Sequence, residues 1–251
     1  MRIAAIQHDI VWEDRDANFE RLATQIARAA AAGARLALLT EMFATGFSMA
    51  TGKIAEPPEG PTASFLLEQA TGRGLWLGAS FPCRSAPDER PSNRFLLAGP
   101  DGSARHYDKI HPFSYSGEDE HYAPGTRRVT IEVEGVRITP FVCYDLRFAD
   151  HFWDAALETD CYAIVASWPA SRQAHWDTLV RARAIENQAY VVAVNRVGDG
   201  GGTAYAGGSV VVGPFGEVLA TGGTGEEILV AEVDPARVAE VRARYPFLLD
   251  R

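Results

Sequence analysis

Residues 139–148 read TPFVCYDLRF: an apolar run, a cysteine, and then at once a tyrosine, an aspartate and an arginine. A cysteine buried for structure needs no charged exit. A nucleophile does, because it must stand where a strand ends and a pocket begins. Two further residues share that setting: Glu41 follows the apolar run LALLT, and Lys109 follows ARHYD. Strand ends of a layered sheet meet at one rim, and active sites gather there. A thiol, a carboxylate and an ammonium at such ends can act as nucleophile, base and oxyanion stabiliser. Each residue alone has a plainer role. A lone cysteine in an apolar strand is normally inert core, and Cys83 and Cys161 are read that way. Glu41 could cap the next segment, and a lysine is by default a surface residue. The ordered set carries the chemistry.

The elements that must position these groups can be read from periodicity. RIAAIQ, RLALLT and LWLGAS predict buried strands. Between them, residues 14–34 predict a helix with Phe19, Leu22, Ile26 and Ala29/Ala30 on one face and a stop at Gly33. Residues 60–74 predict another, with Pro61 near its start and Gly72 or Gly74 past its end. RFLLAGPDGSARHYDK is a hairpin ending on Lys109, and RVTIEVEGVRITPFVCYD is a second, turning at Glu134-Gly135 and delivering Cys143. Residues 110–127 read as a polar loop. Helix–strand alternation then resumes: a short helix at 149–158, the strand CYAIVAS, the helix AHWDTLVRARAIENQA and the strand YVVAVNR. A Gly-rich loop at 198–208, the hairpin GSVVVGPFGEVLAT, the strand EEILVAEVD and a helix at 235–244 complete the chain. The pattern predicts an α/β protein, two packed mixed sheets covered by helices, as one domain over residues 1–251 with no sequence repeat.

Composition narrows the function. The 251 residues carry a net charge of −9, with 47% hydrophobic and 23% charged residues. That speaks against a general binder of nucleic acid or anionic membrane, which would need a basic face, though a local cationic pocket for an anionic substrate stays open. Three well-separated cysteines with no CxxC pair point to the reducing cytoplasm. The first residues do not read as a signal peptide, and no stretch approaches the ~18 apolar residues of a membrane span.

The motifs resemble the nitrilase superfamily of carbon–nitrogen hydrolases. LLTEMFATGF resembles its first motif, with Glu41 as the glutamate; YDKIHPF the second, with Lys109 as the lysine; PFVCYDLRF the third, with Cys143 as the cysteine. HWDTLVRARAIENQAYVVAVNRVG resembles the helix and strand downstream, so the resemblance runs over nearly the whole chain. It implies a four-layer α-β-β-α sandwich and hydrolysis of amides, nitriles or carbamoyl compounds, with no cofactor or metal. It also implies self-association as a homodimer or larger homo-oligomer. A further family glutamate lies between the lysine and a glycine. SGEDEHYAPG offers Glu118 and Glu120 for it; the spacing to Gly125 favours Glu118, and Asp119 and Glu120 read as a solvated acidic run.

On this reading the thiol, which titrates near ~8.5 when free, gives its proton to Glu41 as it attacks the amide carbon. Lys109 and the backbone N–H of Tyr144 meet the oxyanion. Glu41 passes the proton to the leaving ammonia, and then activates the water that hydrolyses the thioester. Glu118 orients Lys109 or assists the second step.

Within the superfamily, TEMFATGFSM, CYDLRF and SWPASRQAHW are similar to the omega-amidases, which deamidate monoamides of dicarboxylates such as 2-oxoglutaramate and 2-oxosuccinamate. Such a substrate presents a carboxylate opposite its amide. Arg172 is the first candidate to meet it, because a guanidinium binds a carboxylate through two parallel hydrogen bonds. Arg147 competes for that role or anchors the loop behind Cys143. Trp168, Phe43 and Tyr144 are candidate pocket walls, and His175-Trp176 begins a helix and packs.

Three rival readings fit the residues less well. His106, His111 and His121 with the acidic loop could ligate a metal, but no HExxH or CxxC spacing supports it and His106 falls inside a strand. A catalytically silent binding protein would not need the complete acid–lysine–thiol set. GDGGGTAYAGG lacks the GxxxxGK[ST] pattern of a phosphate loop and opens no helix. Nitrilase, aliphatic amidase, N-carbamoyl amidohydrolase and glutamine-amide donor activities remain alternatives within the family.

Overall fold

The computed structural model describes residues 1–250. In chain order its first half gives β1 (Arg2–Gln7), α1 (Arg15–Ala31), β2 (Leu36–Leu38), α2 (Thr51–Ile54), α3 (Pro61–Arg73), β3 (Trp76–Cys83), β4 (Ser92–Ala98), β5 (Ala104–Asp108) and α4 (Glu118–His121). The second half gives β6 (Ile131–Val133), β7 (Val136–Val142), α5 (Ala149–Ala155), β8 (Cys161–Ala166), α6 (Gln173–Asn187), β9 (Tyr190–Asn195), β10 (Val197–Gly200), β11 (Thr203–Ala206), β12 (Val210–Val212), β13 (Val218–Thr221), β14 (Glu227–Glu232) and α7 (Pro235–Arg244).

One six-stranded sheet runs β14-β1-β2-β3-β4-β5 and the other β13-β12-β9-β8-β7-β6. Each contains three adjacent parallel strands: β1, β2 and β3 in the first, β7, β8 and β9 in the second. Parallel neighbours need crossover connections, and α1, α3, α5 and α6 supply them. The two halves therefore share one plan, although no repeat is visible in the sequence. Antiparallel hairpins extend both sheets.

Strand alternation sorts the first sheet between two layers. Ile3 and Ala5 of β1, with Leu36 and Leu38 of β2, face the second sheet and join Val142, Val165 and Val192, which share one face of it, in one core. The intervening Ala4, Ile6 and Ala37 face Leu22 and Ile26 of α1 and Ala63 and Leu66 of α3. On the far side, Trp176, Val180 and Ala184 of α6 and Phe152 of α5 cover the second sheet. The order is helices, sheet, sheet, helices, the α-β-β-α sandwich expected. Each fully buried aliphatic side chain contributes about 1.5–3 kcal/mol, so these two clusters hold the layers together. Local signals mark the helix ends: the Asp14 side chain accepts the Ala17 N–H at 3.1 Å to open α1, and Gly74 closes α3 at φ 66°.

Two segments differ from the sequence expectation. Residues 198–208, read as a loop, pair as the β10–β11 ribbon, with Val197 opposite Ala206 and Gly200 opposite Thr203. Gly201 and Gly202 make its tip at φ 56° and 79°, the left-handed region a two-residue hairpin turn requires. So much glycine leaves no apolar alternation to reveal the strands. Within 110–127, the polar loop contains the single-turn α4, which starts at Glu118.

Strand direction sets the site. The C-terminal ends of the parallel strands in each sheet share an edge. Because β5 is antiparallel to β4, and β4 to β3, β5 ends on that same edge. Glu41 follows β2, Lys109 follows β5, Cys143 follows β7 and Ser167 follows β8. No helix among the described residues is long and apolar enough to cross a membrane.

Candidate active site

Cys143 breaks β7 abruptly. Val142 is still extended at φ −121°, while Cys143 sits at φ 46°. A non-glycine residue there stores about 1–3 kcal/mol of strain, which the surroundings must hold. Asp145 holds it. Its buried carboxylate accepts the Val142 N–H at 3.0 Å and the Tyr107 hydroxyl at 2.8 Å. It also accepts the His111 N–H at 3.0 Å, and His111 Nδ1 lies 2.9 Å away. Tyr107 and His111 flank Lys109 in sequence, so one carboxylate ties the cysteine turn to the lysine segment. Met42, directly after Glu41, is also left-handed at φ 46°, and its N–H donates to Ser80 Oγ at 3.0 Å.

Behind the thiol lies a buried charge cluster. Lys109 Nζ donates to Glu41 Oε1 at 2.9 Å and to Glu118 Oε2 and Oε1 at 2.8 and 3.1 Å. The Glu41 Oε2 atom accepts the Ser167 N–H at 2.9 Å, and that same backbone group lies against the Cys143 thiol. Glu118 also takes the Phe113 N–H, while Glu120 is exposed. Of the two glutamates left open by the sequence, Glu118 is the one at Lys109. Gly125 explains the spacing: a Cβ there would stand 2.0 Å from the Asp108 carbonyl oxygen, and its N–H bonds Lys109 O at 2.7 Å.

Burial pulls the Lys109 ammonium down, but the Glu118 and Glu41 carboxylates more than reverse it, so it stays charged above its ordinary range. Burial pushes the Cys143 thiol well above the ordinary thiol range; Glu41 and Glu118 add to this and Lys109 opposes it. Burial raises Glu118 as well, against the pull of Lys109. The reason is charge balance. One ammonium already faces two carboxylates, so a thiolate would add a second uncompensated charge in a dry site. Burial and the two carboxylates thus favour the thiol over the thiolate.

A pocket of about 240 Å³ opens on Cys143, Tyr144, Arg147, Trp168 and Arg172. Cys143 lines this pocket and keeps 8% of its surface exposed, while Glu41 and Lys109 are buried next to it. Arg172 lies over the Phe113 ring at 5.1 Å, and Arg147 over the Trp168 ring at 4.8 Å with an Nη2–His175 Nδ1 contact of 3.0 Å. Among the described residues neither guanidinium is paired with a carboxylate. Trp168 is pinned by Asn195, whose Oδ1 accepts the Trp168 N–H at 2.7 Å, and its indole N–H donates to Arg172 O at 2.9 Å.

Phe43 does not line this pocket. It is fully buried in the outer core, with its ring 6.1 Å from both Phe19 and Phe65. Its side chain leaves the turn toward α1 and α3. Phe47, four positions on, is the pocket wall, joined by Phe113 and Tyr205. His175 is exposed on the first turn of α6, which begins at Gln173, and Trp176 packs inside. Of the histidines considered as ligands, His106 lies in β5, His111 bonds Asp145 and His121 ends α4; no group of three or more metal-ligating side chains is present among the described residues.

Sequence reasoning missed Asp145, Asn93, Ser167 and Tyr205. Asp145 had a signal, a charge three residues past the buried end of β7. Asn93 is a polar residue near the start of an apolar strand, a weaker sign. Ser167 acts through its backbone, and Tyr205 lies on the glycine-masked ribbon, so neither left a side-chain pattern to read.

A thiol, two carboxylates and a lysine gathered at one rim of an α-β-β-α sandwich define a thiol-dependent hydrolase. The chain belongs to the carbon-nitrogen hydrolase family, whose model matches residues 2–243. It is 38% identical to the omega-amidase YafV of Escherichia coli K12, over 98% of this chain and 94% of that protein. It is 32% identical to a 2-oxoglutaramate amidase of Bacillus subtilis, over 99% and 96% of the two chains. A CN-hydrolase superfamily protein from Xanthomonas campestris, solved with an arsenic adduct in its active site, superposes with a TM-score of 0.94 at 36% identity, covering 100% of this chain and 97% of that one.

Proposed function

We propose that this protein is an omega-amidase, hydrolysing the terminal amide of a dicarboxylate monoamide of the 2-oxoglutaramate or 2-oxosuccinamate type to the acid and ammonia. The observation that carries the reading is a pocket with a thiol at one side and two carboxylate-free guanidiniums, Arg172 and Arg147, in its wall. A substrate with an amide at one end and a carboxylate at the other matches both. The relatives named omega-amidase and 2-oxoglutaramate amidase support the same choice.

In the mechanism, the Cys143 S–H proton passes to Glu41 as sulfur bonds the amide carbon. The carbonyl electron pair moves onto oxygen, where Lys109 Nζ and the Tyr144 N–H receive it. Collapse breaks the C–N bond, and Glu41 returns the proton to the departing ammonia. Water then gives a proton to Glu41 and attacks the thioester; the C–S bond breaks and the thiol is reprotonated. Glu118 keeps Lys109 aimed throughout. Arg172 takes the substrate carboxylate, with Arg147 as the second cation of the pocket. A reducing cytoplasm suits a chain whose chemistry needs a free thiol. Assembly as a homodimer or larger belongs to the same reading, and light scattering tests it.

The deciding experiment is ammonia release from a panel holding 2-oxoglutaramate, a neutral amide of similar length, a nitrile and a carbamoyl compound. The acid monoamide should be preferred, Cys143→Ala should abolish turnover, and Arg172→Ala should erase the preference for the acid. Loss of two hydrogen bonds to a carboxylate corresponds to ~10²-fold in kcat/KM. An unchanged preference in Arg172→Ala removes that residue from the reading; activity surviving Cys143→Ala removes the mechanism.

A further inference from the structure

Asn93 is a buried amide beside the charge cluster with no part in the mechanism above. It lies near the start of β4 and is 1% exposed. Its Nδ2 donates to Glu41 Oε1 at 2.8 Å and to Glu118 Oε1 at 3.1 Å. Those same two oxygens are the ones Lys109 Nζ reaches at 2.9 and 3.1 Å. Amide, carboxylate, ammonium and carboxylate thus close a ring. The main chain joins it too, since the Lys109 N–H donates to Asn93 O at 3.0 Å.

The amide orientation is dictated by charge. Turned over, its oxygen would face two carboxylate oxygens. The Oδ1 atom is buried and meets no donor among the described residues, a cost that two hydrogen bonds to charged oxygens outweigh. Pinning Oε1 of Glu41 leaves Oε2 on the thiol side, against the Ser167 N–H.

We infer that Asn93 is a positioning residue for the hydrolysis: its amide fixes the Glu41 carboxylate in place as the base and holds the two carboxylates around Lys109. One ammonium cannot by itself balance two buried carboxylates, and the amide hydrogens supply the missing positive end of a dipole. The other groups facing the cluster are the Cys143 thiol and the Tyr122 and Tyr205 phenols; burial pushes the latter up, Tyr205 to about 12, so they stay neutral. This inference rests on Glu41 being the base. It does not depend on which amide is the substrate.

The test measures pH profiles of Asn93→Leu and wild type with whichever panel amide the wild type hydrolyses fastest. Removing one hydrogen-bonding group to charged oxygens should lower kcat by about 10- to 100-fold. The acid limb of kcat/KM should move up, because the carboxylate cluster loses a donor that favours its charged form. KM should change little, since Asn93 does not line the pocket. The isosteric Asn93→Asp variant separates charge from shape: a third carboxylate should cost more activity than leucine at neutral pH. If Asn93→Leu does not fold, Asn93→Asp with wild-type turnover and acid limb overturns the proposal by itself. Asn93→Asp more active than Asn93→Leu, or an acid limb that does not move in either, also overturns it.

Discussion

The carboxylate of Glu41, in the first sheet, accepts the backbone N–H of Ser167, in the second, at 2.9 Å across 126 residues of sequence. The base is therefore anchored across the sandwich rather than within its own strand. Any change that lets the two sheets slide moves the base relative to the nucleophile, and positioning errors of this kind are costly to catalysis.

The resting state of the thiol can be read chemically. Because burial and two carboxylates hold Cys143 well above the ordinary thiol range, a small non-amide thiosulfonate should modify it more slowly at pH 7 than a free thiol. The modification rate should still be climbing beyond pH 9, while turnover is already high at neutral pH. A rate that levels off near pH 7 would show a preformed thiolate and remove the coupled proton transfer.

Lys109→Met should abolish turnover and destabilise the fold by about 3–5 kcal/mol, because it leaves two carboxylates buried without a countercharge. Glu118 is already raised above its unfolded value in the wild type. Its contribution to stability is complete below the unfolded carboxylate range and fades as pH rises through the folded value. Without Lys109 that folded value rises further. The deficit of the variant should then be smallest near pH 4–5 and grow toward pH 8. Urea unfolding at the two ends of this range checks the sign; a constant deficit refutes it.

Asp145→Ala should cost roughly 2–4 kcal/mol, since the Val142 and His111 N–H groups lose their acceptor and the left-handed turn loses its anchor. Turnover should fall in the folded fraction too. A thermal midpoint within experimental error of the wild type would mean that the turn is held by something else.

Phe43 and Phe47 make opposite predictions. Phe43→Ala removes a fully buried ring from the outer core and should destabilise by about 3–5 kcal/mol, with KM unchanged in the folded enzyme. Phe47→Ala opens the pocket wall and should raise KM with little loss of stability. Paired denaturation and kinetic measurements distinguish them, and a KM effect at position 43 would return that ring to the pocket.

The sequence by itself determined the order of the main strands and longer helices, one helix end at Gly33 and another at Gly72 or Gly74, and Cys143, Glu41 and Lys109 at strand ends. Apolar periodicity and terminus chemistry are local, and a chain read residue by residue contains them. It also narrowed the second glutamate to Glu118 or Glu120, and their burial then separated them. Tertiary structure alone decided the rest. Whether an aromatic after a strand faces core or cavity depends on which way a turn rotates, so Phe43 and Phe47 could not be told apart. Asn93 and Ser167 matter through atoms brought close from strands far apart in sequence. The Gly201-Gly202 ribbon is specified by backbone pairing that glycine leaves unmarked. Side-chain direction and backbone partnership are settled only when the two sheets close on one another.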